Sequence, residues 1–171
     1  MTTPQRLATS VLDMVGDRAD AEVNVDAGTS ALTRFANSFI HQNVSEDVAE
    51  VSLRVALDGK VSRSTTTVTT PDALAAFVDA TLATAVEQPV DGDWPGLGGP
   101  MDQPDVEHWD ASTAVADPMA RAQAVKAFVD AGEGMLAAGY CQTEVHEVAY
   151  ANNEGRSATG RYTKAIVDGI H

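Results

Sequence analysis

Cysteine is almost missing from this sequence: Cys141 stands alone among 171 residues. No intrachain disulfide can form, and nothing calls for an oxidising compartment. Positive charge is scarce too. Eleven Lys and Arg face twenty-five Asp and Glu, giving a net charge of −14 and a pI near 4.4. The cations are scattered, which argues against nucleic acid as a direct partner, because phosphate binding needs grouped Lys and Arg. Long apolar runs are absent: no stretch approaches the roughly 18 residues of a membrane span. The N-terminus, MTTPQRLATSVLDMV, lacks a basic region followed by a long apolar one and does not read as a signal peptide. The expected location is the cytoplasm. What is present suffices for a core. Hydrophobic residues make up 44% and charged residues 21%. A single domain of this length buries roughly 70% of its unfolded surface without cross-links.

Three helix starts share one signature. Thr3-Pro4, Thr70-Pro71 and Asp117-Pro118 each put a capping side chain before a proline at the first helical position. There the missing N–H costs nothing and φ is already set. The spacing predicts helices over 4–15, 71–86 and 118–137. Their stripes are Leu7, Val11 and Met14 or Val15; then Leu74, Phe77, Val78, Thr81, Leu82 and Ala85; then Ala122, Val125, Val129, Gly132 and Leu136. Gly16 is the expected C-cap of the first.

Amphipathic helices need something flat to lie on. Val51, Leu53, Val55 and Leu57 alternate with Ser52, Arg54 and Ala56, the pattern of a strand with one buried face. Asp58-Gly59 is a hairpin turn signal, and residues 60–68 return as a Ser/Thr-rich strand. Residues 143–151 and 156–167 flank Asn-Asn-Glu-Gly and read as another hairpin. The expected fold class is α+β: a largely antiparallel sheet with three amphipathic helices packed mainly on one face. Asp168-Gly169 reads as a turn with no strand after it. The expectation drawn from it is an N-terminal piece of a longer protein, or a sheet completed by a partner.

Residues 31–46, ALTRFANSFIHQNVSE, read as two strands around Asn37-Ser38. A two-residue turn there sets Phe35 opposite Ile40, Thr33 opposite Gln42 and Ala31 opposite Val44, a mostly apolar face. The other face then carries Leu32, Arg34, Ala36, Phe39, His41 and Asn43. Arg34, Phe39, His41 and Asn43 are the candidate contact residues, since a face mixing an aromatic with Arg, His and Asn suits a peptide or another domain. An open solvated sheet face is the plainer alternative.

Residues 88–117 form a long irregular segment with four of the seven prolines and both tryptophans, Trp94 and Trp109. The tryptophans either pin it to the body or arm a lid. Catalytic motifs are wanting. His146-Glu147 lacks a second His at position 150 or 151, where Tyr150 and Ala151 stand, and the segment reads as strand rather than helix. His41, His108 and His171 lie far apart without companions at ligand spacing. Gly96-Leu97-Gly98-Gly99 lacks the lysine of a phosphate loop, and Cys141 has no paired base, so it reads as a structural thiol.

The string LTRFANSFIHQNVSE, the strand pair AEVSLRVALDGKVSRSTTT and the TPDAL helix start closely resemble the N-terminal domain of the TldD/PmbA family. The DWPGL loop, the DPMARAQAV helix and the YANNEGRSATG hairpin fit as well, the last being similar to the family's N-S-x-G stretch. The resemblance covers nearly the whole chain. Members are described as modulators of DNA gyrase and as candidate zinc metallopeptidases. The resemblance implies a two-subunit particle, TldD with PmbA (also called TldE), enclosing a chamber where unfolded peptides are cut. The expected partners are therefore a subunit of the same family and an unfolded peptide. The zinc motif, HExxxH with a later cysteine, belongs to the C-terminal domain of TldD-type members. No catalytic or metal residue is carried over to this chain, and no cofactor is expected within it. Overall similarity leans to the PmbA type, while both types stay open. The alternative is a stand-alone, non-enzymatic module that adds an extended peptide to a sheet edge. A third reading is a gyrase-associated regulator.

Overall fold

A computed structural model describes residues 3–104 and 106–171. Met1, Thr2 and Asp105, which belong to the N-terminal and 88–117 segments discussed above, lie outside the described residues. In chain order the elements are α1 (Pro4–Val15), β1 (Asp20–Ala36), β2 (Phe39–Leu57), β3 (Lys60–Thr66), α2 (Pro71–Val86), α3 (Ala111–Ala114), α4 (Pro118–Ala131), β4 (Ala138–Asn152) and β5 (Ser157–Ile170), with a short 3-10 turn at Gly16–Arg18 after α1. The five strands form one antiparallel sheet in the order β3-β2-β1-β4-β5. The fold class is α+β. No described helix is long and apolar enough to cross a membrane.

The turns follow the residues that predicted them. Asp58 and Gly59 both have positive φ, 52° and 74°. They close β2 on β3 in a register that runs from Leu57 with Lys60 to Val51 with Thr66. Asn37 and Ser38 also have positive φ, 49° and 64°, the requirement of a tight hairpin turn whose twist matches the strands. At the helix starts, Thr3 accepts from the Arg6 N–H at 3.4 Å and Asp117 from the Ala120 N–H at 2.8 Å. Thr70 makes no side-chain cap bond.

The chain divides into two compact units. Among the described residues, the first comprises 3–27, 49–104 and 147–160. Its core joins Leu7, Val11 and Val15 of α1 and Leu74, Val78 and Leu82 of α2 to Val23, Val25, Val51, Leu53 and Val55 of the strands. Period-2 alternation turns Glu22, Arg54 and Tyr150 toward the opposite face. Each fully buried Val or Leu here contributes about 1.5–3 kcal/mol.

The second unit comprises residues 28–48, 106–146 and 161–171. Its smaller core joins Phe35, Ala137 and Cys141 to Val125, with Ala124, Phe128 and Val129 of α4 packed against them. The Phe35 and Phe128 rings meet at 5.5 Å in a tilted pair. Gly139 and Gly169 allow β4 and β5 to approach closely here. A Cβ on Gly139 would collide with the Asp168 carbonyl oxygen and the Gly169 Cα, and one on Gly169 would press on the Ala138 carbonyl and the Phe128 ring.

Several expectations are corrected. Asp168-Gly169 is not a turn; it lies inside β5, and the glycine answers to close strand approach rather than to chain reversal. The third helix ends at Ala131, not at 137, because Glu133 and Gly134 take positive φ, 49° and 92°, which no helix continues through. Leu136 is consequently 70% exposed. The hairpin arm and the Val51 strand are one 19-residue strand, β2, and β1 extends back to Asp20.

A contact face at the hairpin tip and a buried arginine

The β1–β2 turn is anchored within its unit. The Ser38 N–H donates to the Ala137 carbonyl at 2.8 Å, and the Ala137 N–H donates to Ser38 Oγ at 3.1 Å. The apolar residues beside these bonds stay in solvent: Phe39 is 75% exposed, Ile40 44% and Met135 57%. Arg34 and His41 are exposed as well. All four candidate residues are thus exposed.

Asn43 is different. Its side chain is engaged as well as exposed: its Oδ1 accepts from the Thr33 hydroxyl at 2.9 Å. Thr29 likewise donates to Asp47 at 2.8 Å. A plain two-residue turn sets Thr33 opposite Gln42 and puts Asn43 on the other face. These two bonds join residues one step further on, an offset that requires one extra residue in β2 between the turn and Asn43, a β-bulge. The bulge brings the Asn43 side chain round to Thr33, away from the face on which the sequence placed it.

Thr33 and Asn43 meet a residue that sequence reasoning passed over, Arg121 of α4. Only 3% of Arg121 is exposed. Its Nε donates to Thr33 Oγ1 at 3.3 Å, and its Nη1 to the Ala116 carbonyl at 3.1 Å and to Thr143 Oγ1 at 3.2 Å. Its Nη2 donates to Asn43 Oδ1 at 3.4 Å. None of these acceptors is charged. No ion pair between Arg121 and a carboxylate occurs among the described residues. The local sequence explains the placement. Asp117 caps α4 and fixes its first turn, and Arg121 lies one turn before the buried Val125, on the same side. Strand alternation brings Thr33 inward between Ala31 and Phe35, and Thr143 inward with Cys141. That i, i+4 relation to Val125 was the available signal; the stripe read through Ala122 instead. Burial pushes the Cys141 thiol up, and the nearby Arg121 charge acts in the opposite sense.

The first unit carries a polar chain on the strand face opposite its core. Arg54 pairs with Glu22 at 2.8 Å and lies 4.9 Å from the centre of the Trp94 ring. Tyr150 donates its hydroxyl to Glu22 at 2.9 Å, and Asn152 donates to the Tyr150 oxygen at 3.3 Å and to the Gly98 carbonyl at 2.8 Å. Burial and then the Glu22 carboxylate push the Tyr150 hydroxyl above its ordinary range. Arg63, which faces Arg54 across β2–β3, turns instead to Ser52 at 2.8 Å, so the two like charges separate. In the other unit Arg161 stacks on Trp109 at 4.4 Å, and the Thr163 N–H donates to the His108 carbonyl at 2.9 Å. The tryptophans thus pin the irregular segment, as the plainer of the two sequence readings holds. His146 lies in strand β4, with its ring stacked on Tyr162 at 4.8 Å.

These features define an α+β fold with long hairpins, an exposed tip and a buried arginine held by neutral acceptors. No family model matches the sequence and no curated protein matches it. Solved structures match by fold. One is described as a candidate modulator of DNA gyrase from Bacteroides thetaiotaomicron: TM-score 0.80, 15% identity, 94% of this chain and 39% of that one. A second is TldE from Thermococcus kodakarensis, with TM-score 0.77, 13% identity and coverage of 93% and 36%. A third, a candidate modulator of a DNA gyrase from Thermotoga maritima, gives 0.73, 13%, 94% and 38%. The chain spans under two-fifths of the length of each. The shared fold is the one that the resemblance implied.

Proposed function

We propose that this chain is the N-terminal, non-catalytic domain of a TldD/PmbA-type metallopeptidase subunit in the cytoplasm. In this reading it helps a partner subunit of the same family to dock and admits unfolded peptide, while zinc hydrolysis occurs in a domain outside this chain. The observation that carries the reading is the fold match over 94% of the chain to a structure more than twice its length. The hairpin tip supports it: Arg34, Phe39 and His41 stand in solvent on an anchored turn, the mixture of apolar anchor and polar rim that contact surfaces use. Asn43 is left out of that face, because its side-chain oxygen serves Thr33 and Arg121.

The test begins with the reading frame beyond residue 171, followed by zinc analysis and a peptide-cleavage assay on the whole product. A frame containing HExxxH makes this a TldD-type subunit that binds zinc. A frame that continues without the motif makes it a PmbA-type subunit, active only with its partner. A stop codon directly after His171 sinks the peptidase reading and leaves the stand-alone binding module.

A further inference from the structure

Among the described residues no carboxylate pairs with Arg121 in the second unit, and a cavity of about 270 Å³ opens beside it. Arg121 and Thr143 supply polar groups to this cavity, and Ala124, Cys141, Ile166 and Val167 supply apolar wall. We propose that the cavity binds a monoanionic carboxylate with a short aliphatic body, either a free small acid or the C-terminal end of a peptide.

The donor inventory carries the proposal. A guanidinium has five N–H groups. Neutral acceptors take the one on Nε, both on Nη1 and one on Nη2. One Nη2 N–H remains. Thr143 Oγ1 accepts from Arg121, and among the described residues its own hydroxyl hydrogen meets no acceptor, although Thr143 is only 8% exposed. Arg121 and Thr143, each with one donor left over from these bonds, both line the cavity. Burying a charge without a counter-ion is costly, and an anion in the cavity relieves that cost. A carboxylate fits the donor count, with one oxygen for each. A phosphate dianion does not. It asks for more donors, and the hydroxyl groups of Ser112 and Thr113 in the same lining are already engaged by the Asp110 carboxylate. The wall of Ala, Val and Ile suits an alkyl body. The proposal is independent of the peptidase reading, and either can fail without the other.

The experiment is an NMR titration of the ¹⁵N-labelled chain with butyrate, and with butyramide as its uncharged analogue. Butyrate is expected to shift the amides of Thr143 and Val167 saturably, and butyramide is not. Thr143→Val is expected to weaken butyrate by about tenfold, the loss of one hydrogen bond to a charged group. Arg121→Met removes the charge and keeps the bulk, and binding is lost; should that variant not fold, the Thr143→Val result decides. A tripeptide Gly-Ala-Val that competes as the free acid but not as the amide identifies a peptide end. Butyrate binding without peptide competition identifies a free acid. Equal binding of butyramide, absence of saturable shifts at Thr143 and Val167, or unchanged affinity in Thr143→Val overturns the proposal.

Discussion

Cys141 and Asp110 show how local surroundings set chemistry at single residues. Burial raises the Cys141 thiol and outweighs the Arg121 charge. The expected outcome is a thiol that resists iodoacetamide near neutral pH in the folded chain and reacts once urea unfolds it. Rapid alkylation of the native protein contradicts this. Asp110 is exposed, yet its carboxyl is held down to about 2, first by the Ser112 hydroxyl and then by the Thr113 N–H at the start of α3. A lowered folded-state pKa means that the group's contribution is present above its ordinary value of 3.8 and is lost as pH falls through about 2. The Thr113 amide shift should therefore titrate with a midpoint near 2; a midpoint near 3.8 shows that the cap does not form.

The β4–β5 pair and the pinned segment carry the predictions that belong to whole elements. Gly139→Ala forces a Cβ into backbone atoms of β5, and nothing there can rotate away. It should destabilise the chain by about 3 kcal/mol in urea unfolding, and an unchanged midpoint means that the two strands do not approach as described. Arg54→Met removes the Glu22 ion pair and the contact with Trp94. A loss of about 1–2 kcal/mol and a red shift of tryptophan emission are expected. The same elements show what the sequence discloses and what it withholds. Helices α1 and α2 were legible because a capping residue, a proline and an apolar stripe agree with one another. Asp58-Gly59 fixed β2 on β3 for the same reason. The end of α4 was missed because Val129, Gly132 and Leu136 continue the helical spacing past Gly132-Glu133-Gly134, where backbone geometry prevails over apolar periodicity. Asp168-Gly169 misled in the opposite way. A turn signal describes local preference, and Gly169 instead answers a neighbour some 30 residues away in sequence, at Ala138 and Gly139. The bulge that redirects Asn43 left no trace in the pattern of residues 39–43. Arg121 was visible only by preferring an arginine to an alanine on a buried stripe, against the usual rule that Arg stays outside.

At the scale of the whole molecule, the fold is shared at 13–15% identity with proteins more than twice as long. In the proposed function the hairpin tip serves a partner subunit and incoming peptide. Phe39 is the natural anchor. Contact surfaces concentrate their energy in a few large side chains, each worth roughly 2 kcal/mol or more when truncated. Arg34 and His41 flank it with polar groups that leave the fold intact when removed, since both are exposed. The most direct measurement is made on the product of the complete reading frame, purified with its partner subunit. Particle mass and cleavage of an unfolded peptide are compared between the wild type and an Arg34→Ala, Phe39→Ser, His41→Ala variant. A smaller particle or a cleavage rate reduced by about tenfold or more is expected, with the thermal midpoint of the subunit unchanged. Wild-type mass together with wild-type cleavage in the triple variant contradicts it and reduces the hairpin tip to an ordinary solvated face.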